Sequence, residues 1–147
     1  MTDARETMHA TLILIGEQGI LIAGRSGHGK SSLALALLAR ARALGLHARL
    51  VGDDRISLRV LGRRLIGSGH DLLKGRIEAR GLGILEMEAA DAAIVRRIVT
   101  LEDNPPRLPE DAARTMDILG IPTRHLTLRT DHDLPAKADL VLCWLDG

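Results

Sequence analysis

The chain has 147 residues, 46% of them hydrophobic, with a formal net charge of +1, a length that supports one domain over residues 1–147 with a core of its own. Near-neutral charge and a single aromatic residue, Trp144, exclude a basic nucleic-acid surface and a base-stacking platform, and leave Leu, Ile, Val and Ala to build the core. No apolar run reaches membrane-spanning length and residues 1–8 are polar, without a signal-peptide core, so no membrane partner and a cytoplasmic location are expected. The one cysteine, Cys143, stands in a hydrophobic run and reads as a buried thiol in a reducing compartment.

Residues 1–8 read as a disordered lead-in. His9 to Ile15 and Ile20 to Ala23 are apolar, β-branched segments around Gly16-Glu17-Gln18-Gly19, the pattern of a hairpin. His9 opens the first strand, so in an antiparallel pair it comes close to the loop that leaves the second.

That loop is Gly24-Arg25-Ser26-Gly27-His28-Gly29-Lys30-Ser31, with the spacing G-x-x-x-x-G-K-[ST]. An apolar strand before it and an Ala/Leu-rich helix after it supply the context that such a loop needs. Glycines let successive backbone N–H groups turn toward an anion, and the helix adds the partial positive charge of its N-terminus. Lys30 would reach the β- and γ-phosphates and Ser31 would sit on Mg²⁺. The motif predicts binding of a nucleoside triphosphate or a close polyphosphate relative. Ser31 to Leu44 reads as the helix, with Leu33, Leu37, Leu38 and Leu44 on its apolar face and Gly45 as its C-terminal cap.

His47 to Val51 reads as a strand ending in Gly52-Asp53-Asp54. Acids at a strand's carboxyl end, after the loop helix, are where a nucleoside triphosphatase holds Mg²⁺. Two adjacent carboxylates suggest two roles, one on the metal and one accepting a proton from the attacking group. Arg55 to Val60 alternates like a half-solvated strand and turns through Leu61-Gly62-Arg63-Arg64 into Leu65-Ile66-Gly67. Ser68 to Lys74 reads as a flexible loop.

Ile77-Glu78-Ala79-Arg80-Gly81-Leu82-Gly83-Ile84-Leu85 is neither a regular helix nor a regular strand by pattern. It reads as a shaped loop, with Glu78 suited to a metal ion and Arg80 to a phosphate. Ala92 to Leu101 is a strand whose Ala-rich opening also suits a helix. Glu102 to Pro109 is an irregular, proline-rich connection. A short helix starts at Pro109 and ends at Gly120 and Pro122. His125 to Thr130 is a strand, Thr130-Asp131-His132-Asp133 a solvated turn, and Asp139 to Leu145 a closing strand or helix.

These motifs, in this order, resemble the catalytic domain of bacterial HPr kinase/phosphorylase. The family has a histidine at the start of the strand pair, matched by His9, a phosphate loop matched by Gly24 to Ser31, and a strand-end Asp-Asp matched by Asp53-Asp54. Its signature Glu-x-Arg-Gly-Leu-Gly-Ile is matched by Glu78 to Ile84. Its catalytic arginine, in a Tyr-Asp-Arg-Leu context, corresponds to Arg107-Leu108, although Pro105-Pro106 replace the Tyr-Asp. The family's usual N-terminal domain has no counterpart here, which resembles the compact catalytic-domain form of some proteobacteria. Where the family has a Pro-Val-Arg-Pro-Gly-Arg-Asn loop linked to dephosphorylation, this chain has Arg129-Thr130-Asp131-His132-Asp133.

The resemblance implies an α/β phosphate-loop domain with a mixed, mainly parallel sheet flanked by helices. It implies ATP-dependent phosphorylation of a serine on an HPr-like phosphocarrier protein, with ATP and Mg²⁺ as cofactors. Gly24, Arg25, Ser26, Gly27, His28, Gly29, Lys30 and Ser31 would hold the nucleotide, and Ser31, Asp53 and Glu78 the metal. Asp54 would be the acid/base, with His9, Lys30 and Arg107 assisting. Phosphorolysis and assembly into a homo-oligomer are left open. The alternatives are a nucleotide-sensing regulator with little transfer, and a kinase for another acceptor.

Overall fold

The computed structural model describes residues 5–105 and 114–146. The centre of the main sheet is a hairpin of β2 (Ala10–Ile15) and β3 (Gln18–Gly24). Its register pairs Ala10 with Ala23 and Ile15 with Gln18, so Gly16 and Glu17 alone make the turn. Gly16, at φ +61°, takes the first loop position, where a two-residue hairpin that matches strand twist favours glycine. β4 (Ala48–Gly52) lies antiparallel along the other edge of β2.

β9 (Ala93–Glu102) runs parallel to β3 and is long enough to serve two wings. Its first residues pair with β6 (Arg64–Gly69), which continues through β5 (Ile56–Leu61) to β1 (Arg5–Met8). Its later residues pair in parallel with β11 (Ile121–Arg129), which carries β10 (Thr115–Ile118) on its outer edge. A separate two-stranded sheet joins β7 (Arg76–Ala79) to β8 (Gly83–Glu86).

The sheet is therefore mixed, as expected, but mainly antiparallel. β3 with β9 and β9 with β11 are the parallel pairs, and the other pairings in the main sheet are antiparallel. Mainly parallel sheets usually carry helices on both faces. Here both helices lie on one face. α1 (Lys30–Ala43) and α2 (Leu134–Leu145) cover Ile13, Ile20, Ile22, Val99 and Leu101. The opposite face, with Leu12, Leu21 and Ile98, is covered by Ile56, Leu58 and Leu65 of the curled β5–β6 wing.

α1 buries Leu33, Ala34, Leu37, Leu38 and Ala41, a stripe at helical spacing. Leu44, expected on that face, is 68% exposed because the helix has already ended there. Gly45, at φ +79°, lets its amide reach the Arg42 carbonyl at 2.9 Å while Leu46 reaches that of Ala41 at 2.9 Å, closing the helix end. α2 resolves the strand-or-helix alternative for Asp139 to Leu145: the Asp133 carboxylate accepts the Ala136 amide at 2.7 Å and Pro135 sits in the first turn.

Other expectations change. Arg5–Met8 is not disordered but forms an edge strand on β5. Cys143 is exposed rather than buried, being on the solvent side of α2. Ser68 to Lys74 is ordered into the end of β6 and a short 3₁₀ turn at Asp71–Leu73, where the His70 ring accepts the Leu72 amide at 3.2 Å. The proposed helix start at Pro109 lies outside the described residues, and Thr115–Ile118 and Pro122, at its expected end, are in strands.

Two glycines bring the acid-bearing end of β4 against β6. A Cβ on Gly69 would lie 2.5 Å from the Val51 carbonyl oxygen, and one on Gly52 would lie 2.7 Å from the Gly69 Cα. Both obstacles are backbone and cannot swing aside. Gly69→Ala is expected to lower stability by about 1–3 kcal/mol, read as a shift of the urea midpoint with unchanged slope.

Candidate functional site

β3, β4, β9 and β11 all run the same way across the main sheet, so their carboxyl ends meet at one edge, and antiparallel β2 starts there. In such sheets ligand sites form at the carboxyl ends of parallel strands. This edge gathers Thr11 from β2, the loop after β3, Asp53 and Asp54 after β4, and the β7–β8 hairpin. They surround a cleft of about 380 Å³ lined by Ser26, Gly27, Gly29, Lys30, Ser31, Ser32, Asp53, Asp54, Glu78 and Arg80.

The loop from Gly24 to Gly29 makes a tight turn that only glycine suits at several points. Gly24, Gly27 and Gly29 have φ of +157°, +86° and +91°, and Gly29 is the residue from which α1 starts. Lys30 curls back over the loop, donating to the carbonyls of Gly24 at 2.9 Å and Arg25 at 3.2 Å. The helix N-terminus behind it has no side-chain cap and no acid in its first turn. An anion at the cleft floor would meet open backbone amides and the helix dipole.

Asp53 ties the site together. Its Oδ1 accepts the Thr11 hydroxyl at 2.7 Å and the Ser31 hydroxyl at 2.8 Å, and its Oδ2 accepts the Glu78 amide at 3.2 Å. One carboxylate thus links β2, α1 and the β7–β8 hairpin. Because Ser31 donates its proton to Asp53, its lone pairs are left for a cation. Asp54 is exposed at the apex of a three-residue turn closed by the Arg55 amide on the Asp53 carbonyl at 2.8 Å. Its φ of +68° belongs to a rare and strained turn. Across this turn Asp53 faces its three donors while Asp54 lines the cleft wall.

The stretch Ile77 to Leu85, expected as an irregular loop, is instead a regular hairpin. Ile77 and Ala79 are buried while Arg76, Glu78 and Arg80 are exposed, a period-two alternation. Gly81 and Gly83, at φ +86° and +92°, make the turn. The turn glycines interrupt the run and hide the pattern. Glu78 and Arg80 do project into the cleft, and Ile84, 67% exposed, sits directly across from Glu78 at its rim.

Of the predicted residues, Ser26, Gly27, Gly29, Lys30, Ser31, Asp53, Asp54 and Glu78 share this cleft. Gly24, Arg25 and His28 face a second cavity of about 390 Å³ on the β9 side of the loop. His9 is exposed between β1 and β2, one residue before the Ala10–Ala23 pair, at the same sheet edge but outside the residues lining the cleft. Arg107 lies outside the described residues. The acidic turn at Asp131 and Asp133 is not a metal cage: Asp133 caps α2 and Asp131 pairs with Arg129 at 2.9 Å. The Arg129 hydrogen bonds hold the Asp131 carboxyl below the usual carboxylate range.

The oxygen donors in the cleft suit a hard cation such as Mg²⁺, which takes one or two carboxylates and completes its shell with phosphate and water. No cluster of three or more His, Cys, Asp or Glu side chains able to hold a metal exists among the described residues. The sequence reading missed Thr11. It is fully buried, and its only signal was a hydroxyl in the otherwise aliphatic run Ala10–Ile15.

The family model of the HPr Serine kinase C-terminal domain matches residues 2–98. The chain is 33% identical over 141 residues to an HPr kinase/phosphorylase of Polaromonas naphthalenivorans, covering 86% of this chain and 42% of that protein. It is 35% identical over 133 residues to the HPr kinase/phosphorylase of Clostridium tetani, covering 82% and 41%. The chain thus spans about two fifths of the length of these relatives. The solved structure of the Hpr(Ser) kinase/phosphatase from Coxiella burnetii superposes with a TM-score of 0.75 at 31% identity, over 97% of this chain and 99% of that one.

Two substitutions separate the strain at this site from its bonding. Thr11→Val leaves an Asp53 lone pair without its buried donor and is expected to cost about 1–2 kcal/mol. Asp54→Gly relieves the positive φ and is expected to gain on the order of 1 kcal/mol. Chemical denaturation of both variants reads the opposite signs.

Proposed function

The chain belongs to the HPr serine kinase C-terminal domain family, and on that premise we propose that it transfers the γ-phosphoryl group of ATP to a serine of an HPr-like phosphocarrier protein. The observation that carries this reading is the Asp53 carboxylate joining Ser31 and the Glu78 backbone, with Lys30, Asp54 and Arg80 on the same cleft.

In this reading the loop amides and the α1 N-terminus hold the phosphates. Lys30 exchanges the Gly24 and Arg25 carbonyls for phosphate oxygens, so its positive charge is already within the loop that the nucleotide enters. Ser31, Asp53 and Glu78 would hold Mg²⁺, which would neutralise charge on the phosphates, and Asp53 also orients Ser31. Asp54, exposed on the wall, accepts the proton of the seryl hydroxyl. Arg80 approaches the phosphates from the hairpin. His9 and Arg107 keep the assisting roles that the resemblance implies.

Rate in such a transfer comes from alignment and electrostatic stabilisation rather than from a covalent intermediate. Asp54 then matters chiefly as a base. Asp54→Asn keeps the side-chain shape and is expected to lower transfer by about 10²–10⁴-fold while ATP still binds. Unchanged transfer in Asp54→Asn would remove Asp54 from that role.

The reading as a whole is tested by incubating the protein with ATP, Mg²⁺ and HPr from the same cell and mapping phosphorylated residues by mass spectrometry. Phosphoserine on HPr is the expected result. Nucleotide binding without phosphoserine would support the sensing alternative, and phosphoserine on a different acceptor the other kinase. Release of pyrophosphate when inorganic phosphate meets phosphorylated HPr reads the reverse activity separately.

A further inference from the structure

The phosphate loop has little packing to define it. Space around Gly27 and Gly29 is open, with no heavy atom within 4 Å of where a Cβ would stand, and Arg25, Ser26 and Gly27 are exposed. Within the loop, the His28 amide reaches the Arg25 carbonyl at 3.0 Å, and Lys30 holds that same carbonyl and the one of Gly24. The lysine bonds are the ones that must be given up when Lys30 turns to a phosphate. A support that keeps the loop in shape at that moment has to come from elsewhere.

His28 offers it. Its side chain is 17% exposed and wedged between the loop and the end of β9. The Nδ1 edge meets the Leu101 carbonyl at 3.1 Å and the Arg25 amide at 3.3 Å, and Nε2 faces Asp103 Oδ2 at 3.6 Å. With a proton on Nδ1 the ring donates to Leu101. With the proton on Nε2 it accepts from Arg25 and points its N–H at the carboxylate. Either tautomer ties the loop to β9.

Asp103 is itself held from behind. Its Oδ1 accepts the Thr130 hydroxyl at 2.7 Å, the Thr130 amide donates to Glu102 at 3.0 Å, and the Thr130 carbonyl accepts Lys137 Nζ at 3.3 Å. Lys137 is only 6% exposed on α2. Asp103 has a side chain 67% exposed, so its pairing with His28 contributes little to overall stability. Its effect is geometric.

We propose that His28 is a positioning residue that holds the phosphate loop in its binding shape, through a relay of Asp103, Thr130 and Lys137 from the end of β9 to α2. The inference rests on the reading that this loop binds ATP, and it adds to it a part of the chain beyond the family-model match at residues 2–98. The side chains of the relay lie outside the residues lining the cleft. The relay acts by sparing the nucleotide the cost of ordering the loop.

The test is a double-mutant cycle on ATP affinity in the presence of Mg²⁺, by titration calorimetry. His28→Ala and Asp103→Ala are each expected to weaken binding by about tenfold, and the double variant by no more than either single one, because both break the same relay. His28→Gln, whose amide can still face Asp103, regains part of the loss. In Asp103→Ala, the loss appears in the KM for ATP while kcat toward HPr stays within about twofold, a split that general destabilisation would not produce. Thr130→Val, remote from the loop, gives a smaller loss in the same direction and carries the test if His28→Ala fails to fold. Affinities equal to the unmodified protein, or losses that multiply in the double variant, overturn the proposal. The unmodified protein reads the parent proposal in the same experiment: no ATP binding there overturns both, whereas ATP binding and transfer with an uncoupled cycle overturns only the role of His28.

Discussion

The site depends on one carboxylate accepting three hydrogen bonds from three parts of the chain. Asp53 receives Thr11 from β2, Ser31 from the first turn of α1, and the amide of Glu78 from the hairpin. Hydrogen bonds to an ionised acceptor are among the stronger ones, and this one is half-buried, where a missing partner costs more. Each donor is fixed by its own element: Thr11 by the register of β2 on β4, Ser31 by the glycine from which the helix starts, Glu78 by the buried Ile77 and Ala79 on either side. The relative position of loop, acids and hairpin therefore follows from the packing of the sheet.

That packing is unusual in how it covers the sheet. Both helices occupy one face, and the other is covered by the chain's own β5–β6 wing. Long β9 makes this workable by pairing with β6 at its start and β11 at its end along one edge. The close contact of Gly52 with Gly69, where any side chain would strike backbone, draws the end of β4 against the wing. The strained turn at Asp54 comes directly after it in the chain. Strain at a wall of the cleft is the kind of local cost that persists only where the surrounding structure over-determines it.

The same edge holds its two halves differently. On one side, Asp53 accepts the Thr11 and Ser31 hydroxyls at 2.7 and 2.8 Å and the hairpin's Glu78 amide at 3.2 Å. On the β9 side, the loop rests against His28 and Asp103, with an exposed carboxylate and longer contacts. The loop is anchored on both sides, through Ser31 to Asp53 and through His28 to the end of β9. Between them, Lys30 rests on the carbonyls of Gly24 and Arg25.

Much is legible from residues alone, because its chemistry is local. The glycine-rich loop from Gly24 to Ser31, α1 with its Gly45 end, the central hairpin and the strand-end acids each depend on side chains a few positions apart. Ile77 to Leu85 misleads for the same reason: two glycines break an alternation that only pairing across the turn restores. Asp139 to Leu145 is ambiguous by pattern, and the engaged Asp133 cap decides it. The apolar run from Ala10 to Ile15 determined that β2 is buried on both faces, but an apolar strand carries no record of what covers it. Strand direction, the solvent side of Cys143, Thr11 beside Asp53 and His28 beside Asp103 were decided by contacts between residues far apart in the chain. Periodicity reports burial, and burial does not say by whom; only the folded sheet, which brings distant segments to one edge, supplies that.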